Sequence, residues 1–242
     1  MAPTDRLYAD QRDLISGFRF DDETAEVFDD MIQRSVPGYA TVVGISGGLA
    51  ARFARPATDL YDLGCSLGGT TLSMARSVNH PGCRVIAVDN SEAMLSRFGK
   101  RLENMQLPVE VVPTLADIND IVVNNASVVA LNYTLQFVEP AARYTLLENI
   151  YRGMIDGGVL ILSEKIRFED AAMDSLFAEL YHDFKKSQGY SDLEISQKRS
   201  ALENVLIRDS LAEHQKRLHR SGFGRVEVWF QCFNFVSMLA FK

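Results

Sequence analysis

Between residues 59 and 164 the chain repeats one arrangement: a short apolar run, a turn, and a stretch with helical spacing. The runs are "TDLYDLG", "CRVIAVD", "VEVVP", "ASVVALNY" and "GVLILSE". Runs so short and so continuously apolar read as strands buried on both faces, with the intervening stretches as crossover helices. The fold class is therefore α/β, with five parallel strands at its centre.

The flanks add to this unit. Residues 1–20 are expected to form a loosely ordered arm. After them, "DDETAEVFDDMIQRSVPGY" places Val27, Met31 and Phe28 on one helical face and stops at Pro37-Gly38. A second helix is expected over about 40–53. Polar helical sequence runs over about 169–220, followed by "GFGRVEVWFQCFNFVSMLAFK", two strands turning around Cys232–Asn234. Strands joined by so short a link must be antiparallel. The expected organisation is a single domain over 1–242, with an arm and cap helices in 1–55 and a helical insertion in 165–220.

Charge and termini limit the partners. A formal charge of -7 argues against a broad phosphate-binding face, so no direct nucleic-acid partner is expected. Cys65, Cys83 and Cys232 have no C-x-x-C spacing and make an odd number, which suits a reducing, cytoplasmic setting. "MAPTDRLYADQRD" is too polar and acidic for a secretory leader, and no apolar run approaches membrane-spanning length, so no membrane association is expected. No metal is expected either.

The stretch that carries chemistry is "YDLGCSLGGTT", residues 61–71. Gly64 to Gly68 fits the G-x-S-x-G nucleophile elbow, which would make Ser66 an attacking group. That reading needs several preceding strands, an oxyanion segment and a partnered histidine; one strand precedes Ser66, and His80, His182, His214 and His219 lie in polar helical sequence. The other reading is a glycine loop that cradles a nucleotide-like ligand between strand and helix. The next strand ends in Asp89, twenty residues after Gly69, where a carboxylate can accept from both ribose hydroxyls. Ser66 occupies the second glycine position of the dinucleotide fingerprint, so a smaller, net cationic ligand fits better than a pyrophosphate.

The D-x-G-x-S-x-G run with Asp62 and Asp89 resembles class I S-adenosylmethionine (AdoMet) dependent methyltransferases, as do "LADIND", "ALNYTLQF" and "YRGMIDGGVLILSE" in that order. The resemblance implies a Rossmann-like sheet, mostly parallel with a C-terminal antiparallel hairpin, plus N-terminal and inserted helices. A narrower likeness spans nearly the whole chain. "VFDDMIQRSVPGY", "NYTLQFVEP", "LSEK", "HDFKKSQGYSDLEISQKRSALENVL" and "WFQCFNF" resemble the carboxy-S-adenosylmethionine synthases.

That likeness implies conversion of AdoMet and prephenate to carboxy-AdoMet, phenylpyruvate and water. It implies that a tRNA carboxymethyltransferase then uses the product on a wobble uridine, and that the protein is a homodimer. By position it implies Tyr39 over the AdoMet; Gly64, Cys65 and Ser66 along its methionine part; Asp89 and Asn90 at the ribose; Asp117 and Ile118 at the adenine; and Asn132 beneath the sulfonium. Arg199 would bind the transferred carboxylate as the one catalytic candidate, in its own subunit or the neighbour's. In the implied chemistry prephenate loses its ring carboxylate and hydroxide, the AdoMet methyl carbon captures carbon dioxide, and the hydroxide itself is the base; no carboxylate or histidine stands out for that role.

Several residues keep a second reading. Arg199 sits in "EISQKRSALEN", an ordinary amphipathic pattern in which a solvated arginine is common, and Lys198 is its rival for the carboxylate. Tyr39 after Pro37-Gly38 suits a core position as well as a ligand wall. His182 and Tyr190 flank the insertion, with packing the stronger expectation over a prephenate pocket. Phe137, Trp229 and the aromatics near Cys232 have the spacing of core strands. Ala116 stands where the family pattern has glycine, which questions the backbone of the adenine loop. The competing functions are an ordinary small-molecule methyltransferase and a non-catalytic AdoMet-binding dimer.

Overall fold

The computed structural model describes residues 3–242. Two helices come first, α1 (Asp22–Ser35) and α2 (Tyr39–Phe53). Next is the alternating unit: β1 (Asp59–Leu63), α3 (Gly69–Ser77), β2 (Arg84–Asp89), α4 (Glu92–Leu102), β3 (Glu110–Leu115), β4 (Ala126–Asn132), α5 (Arg143–Gly153) and β5 (Met154–Lys165). Helices α6 (Ala171–Ser187), α7 (Asp192–Leu202) and α8 (Leu211–Arg220) precede the hairpin β6 (Arg225–Cys232) and β7 (Phe235–Phe241). The fold class is the one the alternating pattern implies.

The seven-stranded sheet has the order β3-β2-β1-β4-β5-β7-β6. The first five strands are parallel, and β7 lies antiparallel between β5 and β6. Side chains alternate across it: Leu60, Val128, Ala130, Val159 and Ile161 pack with Ala50 of α2 and Met74 and Ala75 of α3. Their neighbours Tyr61, Leu63, Val129, Leu131, Leu160 and Leu162 pack on the other face with Leu146, Leu147 and Ile150 of α5 and Leu218 of α8. This period-two division explains why the strands read as unbroken apolar runs. β5 starts earlier than its apolar core suggests, because Met154 already pairs with Ala126 before the register shifts.

Strand order reverses between β1 and β4, and in an open α/β sheet the crevice beyond the carboxyl ends at such a switch point receives the ligand. The helical additions roof this crevice. α7 starts with a capping box, in which Ser191 Oγ accepts from Glu194 N and Glu194 Oε2 accepts from Ser191 N. Arg143, fully buried, donates to the carbonyls of Val138, Gln136 and Ile207 and at 2.7 Å to Asp209, tying the chain after β4 to the segment after α7.

The N-terminal arm corrects one expectation. Residues 3–20 carry no helix or strand, yet they are packed in place; the first two residues of the arm lie outside the described residues. Tyr8 and Phe18 join Val27 and Met31 of α1 and Ala201 of α7 in a buried cluster. Gln197 donates to the carbonyls of Tyr8 and Asp10, and its Oε1 accepts from Arg12 N. The arm's own sequence gives no hint of this order, because its apolar partners lie far along the chain. Among the described residues, no helix is long and apolar enough to cross a membrane.

Candidate active site

A cavity of about 1080 Å³ opens beyond the carboxyl ends of β1, β2, β4 and β5. It is lined by Tyr39, Gly64, Cys65, Ser66, Asp89, Asn90, Asp117, Ile118, Asn132 and Arg199, so the structure brings together every site residue named from the sequence.

The loop after β1 is built around two carboxylates. Asp89, at the end of β2, accepts from Ser66 N at 2.8 Å and Ser91 N at 2.9 Å. Burial raises its pKa above the usual carboxylate value, against the pull of those backbone donors. Asp62 lies beneath, accepting from Thr71 Oγ1 at 2.5 Å, and burial first, then the charge of Asp89, moves it up to about 6. Gly64 has φ +82°, and a Cβ there would fall 2.3 Å from Thr134 Oγ1, so this position needs glycine for both backbone and space. Ser66 itself adopts φ +49°. Among the described residues no hydrogen bond joins its hydroxyl to a histidine, and its backbone N–H is held by Asp89. Burial and the flanking Asp62 and Asp89 push the Cys65 thiol well up, so it stays neutral and serves as wall rather than nucleophile.

The remaining residues form the rest of this half. Asn132 is fixed on three sides: its amide nitrogen faces Ser46 Oγ at 3.3 Å and Thr70 Oγ1 at 3.2 Å, and its Oδ1 accepts from Ser163 Oγ at 2.6 Å. Asp117 is exposed at the cavity edge, accepting from the backbone and side-chain amides of Asn119. Ala116 is not among the positive-φ residues and donates to Asp89 O at 3.0 Å, so the loop forms without the glycine expected there. Tyr39, at the start of α2, stands 6.3 Å from the Tyr133 ring centroid, with its hydroxyl against Gly69. Tyr133 has φ +59°, and the following turn is pinned by Glu164, whose two oxygens accept from Leu135 N at 2.9 Å and Gln136 N at 2.8 Å. Burial moves Glu164 up to about 8, opposed by the Leu135 N–H and the Arg143 charge.

Another part of the lining is basic, and sequence reasoning found only some of it. Lys165, Lys185, Lys198, Arg199 and Arg208 all line the cavity. Lys198 is buried and paired with Asp5 at 3.4 Å and Ser35 Oγ at 3.0 Å, so its charge is already matched within the chain. Arg208 is paired with Asp174 at 3.1 Å. Among the described residues Lys165, Lys185 and Arg199 have no carboxylate partner. The signal for Lys165 was its place at the carboxyl end of a parallel strand; Lys185, in a polar helix, had none.

Three aromatic expectations change or sharpen. Phe137 lines the cavity, edge-on to Phe20 at 5.3 Å, because the turn after β4 swings it out of the sheet. Tyr190 does not line it; its hydroxyl donates to Asp5 at 2.6 Å. His182 does line it, and its Nε2 is 3.0 Å from Asp192 Oδ1.

A seat with an ionisable carboxylate under a glycine loop, in one cavity with a basic wall, suits a small ligand with a cationic centre and a second, anionic one. The Methyltransferase domain family matches residues 60–158. A carboxy-S-adenosyl-L-methionine synthase of Shigella sonnei is 50% identical over 242 residues, 100% of this chain and 98% of that relative. The chain belongs to the carboxy-S-adenosyl-L-methionine synthase family. Solved structures place the carboxy-AdoMet synthase chain in the same fold as methyltransferases. Human N-acetylserotonin methyltransferase in complex with SAM matches with TM-score 0.59 and 14% identity over 91% of this chain and 56% of that one, and magnesium protoporphyrin IX methyltransferase of Synechocystis with TM-score 0.59 and 16% identity over 87% and 86%.

 At these identities the likeness speaks for the fold alone, and the full-length relative carries the family.

Proposed function

We propose that this chain converts AdoMet and prephenate to carboxy-AdoMet, phenylpyruvate and water. The observation that carries the reading is one cavity lined both by carboxylates at or just after the ends of β2 and β3 and by cations from β5, α6, α7 and the segment after it. The strand-end lining fits AdoMet: Asp89 is an acceptor for the ribose hydroxyls, Gly64, Cys65 and Ser66 line the space for the methionine part, and Asp117 accepts at the adenine edge. Bound there, AdoMet supplies a methyl carbon whose protons are acidified by the adjacent sulfonium.

Prephenate loses its ring carboxylate as carbon dioxide and its ring hydroxyl as hydroxide, and becomes aromatic phenylpyruvate. The methyl carbon forms a bond to carbon dioxide and gives up one proton, which the hydroxide takes as water. Charge and atoms balance with no oxidant and no metal. The protein's part is to hold both reactants in one enclosed space and to supply fixed charge. Arg199, free of a carboxylate partner among the described residues, receives the new carboxylate, and a planar guanidinium does so with two parallel hydrogen bonds. The reading extends to a homodimer in the cytoplasm whose product, carboxy-AdoMet, is released to a tRNA carboxymethyltransferase acting on a wobble uridine.

The test is direct. Purified protein incubated with AdoMet and prephenate should release phenylpyruvate and a ligand of AdoMet mass plus one carbon dioxide. Absence of phenylpyruvate sinks the reading; S-adenosylhomocysteine as the product would instead indicate ordinary methyl transfer.

A further inference from the structure

The basic wall contains more charge than one new carboxylate needs. Lys198 and Arg208 are already paired with Asp5 and Asp174. Among the described residues Lys165 and Lys185 have no carboxylate partner, although Lys185 is buried and Lys165 half-buried. Both amines lie against one ring: Lys165 Nζ is 4.1 Å and Lys185 Nζ 4.9 Å from the Tyr181 centroid. That ring is held still, since its hydroxyl donates to Ser35 O at 2.8 Å. Two unpaired ammonium groups beside a fixed aromatic platform are costly unless an anion completes them.

AdoMet, a net cation, is the wrong complement. Prephenate brings two carboxylates, one that leaves and one that phenylpyruvate keeps. A cation pressed on the leaving carboxylate would hold electrons on the group that must surrender them, stabilising the ground state more than the transition state. The unpaired amines therefore suit the carboxylate that stays.

We infer that Lys165 and Lys185 bind the pyruvyl carboxylate of prephenate over the Tyr181 ring, which leaves the ring carboxylate free to depart toward the AdoMet methyl group. The inference rests on the prephenate reading above and adds the residues that orient the substrate. Burial, then the charges of Lys185, Arg208 and Arg199, brings Lys165 down to about 7, with Asp174 opposing; burial, then Lys198 and Arg199, brings Lys185 to about 8. An anion relieves this mutual repulsion.

The test uses Lys165→Met and Lys185→Met, which remove charge from partly or wholly buried positions while keeping the stem. Each should raise the KM for prephenate about 10- to 100-fold, as expected for losing a hydrogen bond to a charged group. AdoMet binding, read by calorimetry, should not weaken, because losing a cation from the same cavity removes repulsion from a net cationic ligand. Phenylpyruvate, which lacks the ring carboxylate, should lose affinity in step with prephenate, and this is read by binding without turnover. Unchanged prephenate KM and phenylpyruvate affinity overturn the inference while wild-type turnover leaves the parent reading standing. A raised prephenate KM with unchanged phenylpyruvate affinity also overturns it, by assigning the lysines to the carboxylate that leaves. A wild-type protein that yields no phenylpyruvate and binds none overturns both.

Discussion

Asp89 and Lys165 line the same cavity and meet opposite difficulties. Asp89 loses solvation but is repaid by the N–H groups of Ser66 and Ser91, whereas Lys165 has an aromatic face beside it and mostly cations around it, with Asp174 opposing. The first situation was readable, because a carboxylate at a strand end twenty residues after a glycine loop is a local pattern. The second was not, because Tyr181 and Lys185 come from a polar helix whose fold over β5 no local spacing encodes. This gives a pH prediction. Below about 7 both amines carry a proton and phenylpyruvate binds best; as pH rises through 7 and then 8, Lys165 and then Lys185 lose their protons and affinity falls. The groups facing Lys165 are Lys185 on α6, Arg199 on α7, Arg208 after it and Asp174, so binding at pH 8 should take up protons. Calorimetry in buffers of different ionisation enthalpy measures the uptake, and a buffer-independent enthalpy would refute it. Arg199→Ala belongs to the same scale: purified variant should lose retention of the carboxylated ligand while AdoMet affinity stays within about twofold, and unchanged retention would return Arg199 to an ordinary helix surface.

At the scale of elements, apolar runs identified each strand, and the expected hairpin has the expected pairing. What they could not tell was the turn after β4, since its shape comes from Glu164 one strand away. Ionised above about pH 8, the Glu164 carboxylate accepts with both oxygens, whereas a glutamine accepts with one and presents hydrogens with the other end, so the two are compared above that pH. Glu164→Gln therefore leaves either Leu135 N or Gln136 N without its acceptor in a buried site. The expected cost is about 1–3 kcal/mol, which for a chain of this size lowers Tm by roughly 3–10 °C. Tyr133 and Thr134 sit on that turn, so AdoMet affinity should fall together with Tm; an unaltered melting curve would show that the turn holds without Glu164. The arm illustrates the same limit of local patterns, because Gln197 and Ala201 of α7 order it from the far end of the sequence.

For the whole molecule, the consequence of one cavity lined by both carboxylates and cations is that its ligands should sense each other. In the proposed binding mode AdoMet brings a sulfonium into the cavity that the lysines also line, and an anion on those lysines lies within the field of that charge. S-adenosylhomocysteine has nearly the same shape but a neutral sulfur, so it isolates the electrostatic part of the coupling. Phenylpyruvate should bind more tightly to the protein saturated with AdoMet than to the protein saturated with S-adenosylhomocysteine. The expected difference is about 1 kcal/mol, or roughly fivefold. Linkage makes the effect reciprocal, so saturating phenylpyruvate should favour AdoMet over S-adenosylhomocysteine by the same factor. Salt should weaken the preference only modestly, because charges in an enclosed cavity are screened less than surface pairs. Both titrations are readable by calorimetry on the wild-type chain. Equal phenylpyruvate affinity in the two complexes would mean that the two parts of the lining act independently, and their charges would then serve separate binding rather than the meeting of two reactants.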